Sequence, residues 1–189
     1  MAEYNLFMVL LGCKPPGRHI EQHDIFFGIA KSLSDLKADM QAFWPDSVGL
    51  HIDAWRRVMM VDGFRIDIAR KAADEGTQTL KPVKLFFVNL GGYQPNRFEE
   101  QHHMLLTVSP NRAAAGKAAK QTSFFKTNHF QGAASHIDDQ YGIDVDDLYE
   151  IEDTLPVAQK AQFCIRLTPV ITDQTDEIHL GYLKLSKLK

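Results

Sequence analysis

The sequence predicts an α+β fold built from two similar strand–strand–helix–strand units that share a core about a pseudo-twofold axis. Two observations predict it. Shifted by 79 residues, the chain matches itself without a gap over positions 6 to 30, with ten identities in twenty-five. Leu6-Phe7-Met8-Val9-Leu10-Leu11-Gly12 falls on Leu85-Phe86-Phe87-Val88-Asn89-Leu90-Gly91, and Glu21-Gln22-His23 falls on Glu100-Gln101-His102. After a six-residue insertion the match resumes at a shift of 85, where His51-Ile52-Asp53 meets His136-Ile137-Asp138. A fixed offset of this kind is the mark of an internal duplication. The second observation is a change of hydrophobic period inside each copy, from strand-like to helical. The predicted domains are a first repeat unit over 1–79 and a second over 80–189 that carries an extra C-terminal hairpin, joined through a linker at Lys71–Lys81.

Each element follows from its local pattern. Residues 4–12 form a continuous apolar run, which suits a strand buried on both faces, and Gly12 with Pro15-Pro16-Gly17 ends it. Residues 20–30 alternate, placing Glu21, His23, Ile25, Phe27 and Ile29 on one face. Ser32-x-x-Asp35 has the spacing of a capping box, Leu33, Leu36, Met40 and Phe43 form a helical stripe, and Pro45 stops it. In the second copy Ser109-Pro110 reads as an N-cap and first helical position, opening a helix over Asn111–Thr122. Asp62-Gly63 between Val58–Val61 and Phe64–Ile68 signals a two-residue hairpin. Ala161–Pro169 and Glu177–Leu185 read as a further strand pair.

Composition narrows the function classes. At 189 residues with 44% hydrophobic and 24% charged side chains, the chain can bury roughly 70% of its unfolded surface without staples. A net charge of −3 is far from the basic balance of a nucleic-acid binder. Two cysteines, Cys13 and Cys164, cannot form a disulfide framework or a four-ligand zinc knuckle. No apolar run approaches a membrane span, and Met1–Asn5 lacks the basic start of a signal peptide. A cytoplasmic protein is expected, with no nucleic-acid or membrane partner and no cofactor, and with self-association into a homo-oligomer left open.

The candidate site is a polar cluster. Gly12–Arg18 imitates a phosphate-binding loop, but Pro15 and Pro16 remove two backbone donors and a strand follows instead of a helix. The element Arg-x-x-Glu-Gln-His recurs as Arg18, Glu21, His23 and as Arg97, Glu100, His102. Glu and His two apart on a strand lie roughly 7 Å apart on one face, where they can satisfy one another or form a cleft. If the His51-Ile-Asp53 strand neighbours the Glu-x-His strand, each copy assembles two histidines and two carboxylates, enough in type for a two-histidine, one-carboxylate metal site. The first copy adds His19; the second has Phe98 there. The candidate residues are therefore Arg18, His19, Glu21, His23, His51 and Asp53, with Arg97, Glu100, His102, His136 and Asp138 as counterparts. Cys13 and the aromatics, led by Phe26, Phe27, Trp44 and Trp55, read as core.

The stretch Gly-x-Lys-Pro-Pro-Gly-Arg-x-x-Glu-Gln-His-Asp-x-Phe-Phe-Gly, Gly12 to Gly28, together with His51-Ile-Asp-Ala-Trp55, resembles a bacterial family classed as a domain of unknown function, number 1543 in that series. The resemblance implies a tandem pair of that domain and carries no catalytic residues. Two function classes follow. The first is a non-catalytic module that binds a small molecule or a protein near the seam of the repeats. The alternative is a hydrolase using a metal or a His/Glu acid–base pair in the first repeat. The absence of a nucleophile–base motif or zinc signature favours the first.

Overall fold

The computed structural model describes residues 3–71, 82–127, 136–137 and 148–188, the pair 136–137 as backbone alone. All but the first residue of the predicted linker, and Asp138, lie outside the described residues. In chain order the strands are β1 (Asn5–Cys13), β2 (Gln22–Ala30), β3 (His51–Val58), β4 (Met60–Val61), β5 (Phe64–Arg70), β6 (Lys84–Gly92), β7 (Gln101–Ser109), β8 (His136–Ile137), β9 (Leu148–Glu150), β10 (Phe163–Pro169) and β11 (His179–Lys184). The helices are α1 (Lys37–Phe43), α2 (Arg112–Ala119), α3 (Ser123–Thr127), α4 (Ile151–Thr154) and α5 (Val157–Gln162). Short helices beside antiparallel sheets make this an α+β fold, as the sequence predicts. The chain divides into two compact units, one of 1–76 with 154–189 and one of 77–153.

In the first unit a four-stranded antiparallel sheet has the order β11-β3-β1-β2, and a second sheet has the order β10-β5-β4. The apolar run of β1 lies at the centre of its sheet. Phe7, Val9 and Leu11 share one face and pack with Phe26, Leu36, Met40 and Ile52, while Leu6 of the opposite parity is also buried. Each such fully buried side chain contributes about 1.5–3 kcal/mol. Asp35 caps the helical segment by accepting the Ser32 N–H at 3.0 Å. Its first turn, Leu33–Leu36, is a 3-10 helix that runs into α1. The β4–β5 hairpin turns at Asp62 and Gly63, both at positive φ (51° and 75°), which is the type I′ geometry that an Asp-Gly pair favours.

Two expectations are corrected here. The predicted pair Ala161–Pro169 and Glu177–Leu185 contains strands at Phe163–Pro169 and His179–Lys184, but they do not pair with each other. β10 pairs with β5 and β11 pairs with β3, so the segment that the sequence grouped with the second repeat completes the first unit's sheets. Gln159 of α5 adds a tie: it accepts the Ile29 N–H of the edge strand β2 at 2.6 Å and donates to Asp39 at 2.8 Å.

The second unit repeats the first hairpin. β6 pairs with β7 in the register Leu85↔Val108 to Gly91↔His102, which is the β1–β2 register Leu6↔Ile29 to Gly12↔His23 displaced by 79. β8 and β9 pair with the other edge of β6. Phe86, Val88, Leu90, Ala115, Ala119 and Leu148 form its core. The predicted Ser109 cap is corrected: Ser109 ends β7, and Asn111 caps α2 by accepting the Ala114 N–H at 2.9 Å. The asparagine carboxamide reaches that donor from a residue that has already left the strand, whereas Ser109 is still held in the ladder.

Candidate functional site

One cross-strand row builds the site. Gly12 on β1 faces His23 on β2 and His51 on β3. Neighbouring strands stand about 4.8 Å apart, so the two histidines start about 10 Å apart with β1 between them. The glycine lets them meet. A Cβ at Gly12 would collide with Asp53 Oδ2 and lie 2.7 Å from His51 Nε2 and 3.2 Å from His23 Cδ2. The side chains of the flanking strands therefore occupy the space over the glycine. The condition set from the sequence, that the His51 strand neighbour the Glu-x-His strand, is not met; the cluster forms across the intervening strand instead.

A β-bulge supplies the second carboxylate. Leu10 pairs with Ala54 and Leu11 with Ile52, which leaves Asp53 as the extra residue on β3. Bulges re-aim a side chain beside functional positions. Here Asp53 turns toward both imidazoles: its Oδ2 lies 3.2 Å from His23 Nε2 and its Oδ1 lies 3.4 Å from His51 Nε2. Glu21, just before β2, closes the set from the other side, with Oε1 3.2 Å from His51 Nε2 and Oε2 3.7 Å from His23 Nε2. Two imidazoles and two carboxylates thus alternate around a ring.

His51 is the fixed member. Its side chain is 4% exposed, against 46% for His23, 42% for Glu21 and 25% for Asp53. The Tyr182 ring of β11 packs on it at 4.3 Å between centroids. Its Nδ1 lies 2.9 Å from the Gly49 carbonyl; a carbonyl only accepts, so Nδ1 carries the proton. In the neutral ring Nε2 is then a bare acceptor. It points at carboxylate oxygens that are acceptors too, and His51 Nε2 and Asp53 Oδ2 are both buried without a hydrogen-bond partner. Gly49 and Tyr182 also line a cavity of about 490 Å³ with Trp44 and Lys184. Cys13, buried as the sequence predicts, has its thiol pushed up by burial and by the Glu21 carboxylate, so it offers no ready thiolate.

Of the predicted residues, Glu21, His23, His51 and Asp53 come together. Arg18 and His19 do not: both are exposed in the turn before β2, outside the strand that was to align His19 with Glu21. In the second unit the row recurs in backbone register, with His102 and His136 flanking Gly91. His102 Nδ1 lies 3.3 Å from the Asn89 carboxamide, Arg97 lies 3.7 Å from Glu99, Glu100 is half-buried and Phe98 is fully exposed. Sequence reasoning missed the supporting residues Gly12, Gly49 and Tyr182. The signal available was Gly12 itself, which recurs as Gly91 at the end of an apolar run.

Among the described residues no helix is long and apolar enough to cross a membrane. No curated protein matches the chain. Across 98% of this chain and 99% of the other, the fold is similar to the crystal structure of a protein Il1583 from Idiomarina loihiensis, with a TM-score of 0.56 and 21% sequence identity. The model of a family described as Domain of Unknown Function (DUF1543) matches residues 18–68, the stretch that contains Glu21, His23, His51 and Asp53.

Proposed function

We propose that the chain is a non-catalytic binding module that takes a cation at the Glu21–His23–His51–Asp53 cluster. The carrying observation lies at its centre: the buried Nε2 of His51, which has no hydrogen-bond partner, stands 3.2 Å from Glu21 Oε1 and 3.4 Å from Asp53 Oδ1. A buried polar atom without a partner costs about 1–3 kcal/mol. A positive charge seated among these atoms satisfies them all at once. The hydrolase reading, by a metal or a His/Glu acid–base pair in the first repeat, would draw on the same side chains and has less support, since no nucleophile–base motif accompanies them in the sequence. We also propose that the chain is a tandem pair of the family's domain, supported by the two hairpins that coincide at an offset of 79 residues, and that the protein is cytoplasmic and bacterial.

Calorimetric titration with Zn²⁺, Co²⁺, Ca²⁺, Mg²⁺ and an organic diamine tests this. At least one of these cations should bind once per chain, and Glu21→Gln combined with Asp53→Asn should abolish that binding. A wild-type protein that binds none of them, or a double variant that binds as the wild type does, overturns the proposal.

A further inference from the structure

We propose that the cation is a divalent transition-metal ion of the Zn²⁺ or Co²⁺ kind, held by Nε2 of His23, Nε2 of His51 and the carboxylates of Asp53 and Glu21. This rests on the cation-binding reading and adds the ligand's chemistry to it.

The donor set comes first. Imidazole nitrogens suit Zn²⁺, Co²⁺, Ni²⁺ and Cu²⁺, whereas Ca²⁺ and Mg²⁺ take shells of oxygen. Two nitrogens and two carboxylates therefore select against the hard cations that are otherwise most abundant.

The support of His51 is the second argument. A metal-ligating histidine generally donates its other ring N–H to a carbonyl or carboxylate, which fixes the tautomer and aims the free lone pair. His51 Nδ1 has that partner in the Gly49 carbonyl at 2.9 Å, and Tyr182 holds the ring's plane. A side chain 4% exposed and held in this way presents Nε2 inward, without a hydrogen-bond partner and within 3.4 Å of both carboxylates. A histidine kept only for packing has no need of an inward-facing bare nitrogen.

Spacing is the third. Bonds of about 2.0–2.2 Å to a tetrahedral ion place neighbouring donor atoms about 3.3–3.6 Å apart. The four nitrogen–oxygen separations are 3.2, 3.2, 3.4 and 3.7 Å. As the side chains stand, no three of them surround a single point as a bound ion requires; the donors form a ring in which each carboxylate gives a different oxygen to each imidazole. The change from ring to shell falls on Glu21 and His23, which are 42% and 46% exposed and have room to turn. His51 and the bulged Asp53 form the preset half, and Gly12 keeps the space over β1 clear of a side chain.

Cobalt provides the test, because four-coordinate Co²⁺ has visible bands much stronger than those of the hydrated ion. Titrating the full chain with Co²⁺ should give such bands, saturating at one ion per chain, and Zn²⁺ should displace them. His23→Ala, at a position 46% exposed, should weaken Co²⁺ by at least about tenfold, the loss that even an outer-shell partner causes. His102→Ala in the second unit should leave the titration unchanged. The inference falls if Co²⁺ and Zn²⁺ bind no tighter than Ca²⁺, or if His23→Ala and Asp53→Asn leave the affinity intact. It also falls, with the cation reading surviving, if only Ca²⁺ or an organic diamine binds and Glu21→Gln with Asp53→Asn abolishes that. If no cation binds, both readings fall.

Discussion

Replacing Gly12 with alanine adds one carbon to the centre of the site and tests how the cluster is built. The backbone at Gly12 is extended and outside the left-handed region, so alanine fits it without strain. Removing a glycine from a strand interior then favours folding by about 0.5–1 kcal/mol. Against this, the new Cβ meets Asp53 Oδ2 and sits 2.7 Å from His51 Nε2. His51 must turn in a tight pocket, at a cost of about 0.5–1.5 kcal/mol for leaving its rotamer. Its bond to the Gly49 carbonyl, worth about 0.5–1.5 kcal/mol, is at risk as well. The balance is a loss of about 0–2.5 kcal/mol. Both tryptophans, Trp44 and Trp55, belong to the first unit. Urea unfolding followed by tryptophan fluorescence therefore reports that unit alone, and ring-proton NMR reports the two histidines. The expected result is a modest stability change, shifted His23 and His51 resonances, and lost cation binding. Unmoved resonances with intact binding would show that the side chains do not converge over the glycine. A loss above about 4 kcal/mol would make Gly12 a packing requirement of the strand.

Two other perturbations probe the frame around the site. Gln159→Ala strands the Ile29 N–H and the Asp39 carboxylate; it should cost about 1–3 kcal/mol and speed amide exchange along β2 in hydrogen-exchange measurements. Asp176, whose side chain is 1% exposed, accepts the Met59 and Met60 N–H groups at 3.0 Å each, and burial pushes its carboxyl upward, partly opposed by those bonds and by Arg56. A carboxyl raised in the folded state binds its proton more tightly there than in the unfolded chain. Its contribution is therefore most favourable below the unfolded value of 3.8 and declines as pH rises through the raised folded value. Asp176→Asn keeps an acceptor for both amides and removes this dependence, so wild type should gain stability relative to the variant as a urea series moves from neutral to acidic pH. A difference that is flat with pH, or that runs the other way, refutes the assignment.

Local pattern carried most of the elements, because burial and period act over a few residues. The apolar run of β1, the alternation of β2, the Ser32/Asp35 cap and the Asp62-Gly63 turn are each readable from their own stretch of chain. Partners are a different matter. β10 pairs with β5 and β11 with β3, and nothing in the alternation of Phe163–Pro169 says that its partner lies some hundred residues away. The same limit governs the site. Parity places His51 with Asp53 and Glu21 with His23, yet it cannot reveal that a third strand runs between them. Nor can it show that a bulge swings Asp53 inward or that a glycine makes room.

Those long-range features are also what separates the two units. Both have a histidine–glycine–histidine row in register, His23–Gly12–His51 and His102–Gly91–His136, so the row alone does not define the site. What the first unit adds comes from the end of the chain. β11 lies along β3 and brings Tyr182 against His51, and its own irregular pairing opposite Asp53, with Gly181 at φ 122°, follows the bulge. α5 brings Gln159 to the edge of β2, the strand that carries His23. Among the described residues of the second unit, no strand plays the part of β11 beside β8. The C-terminal segment thus converts the sheet row into a supported pocket of donors, and it does so in the unit that contains residues 18–68, the stretch matched by the family model. That support is why the proposed cation site is placed in the first unit, even though the sequence presents the two copies as near equals.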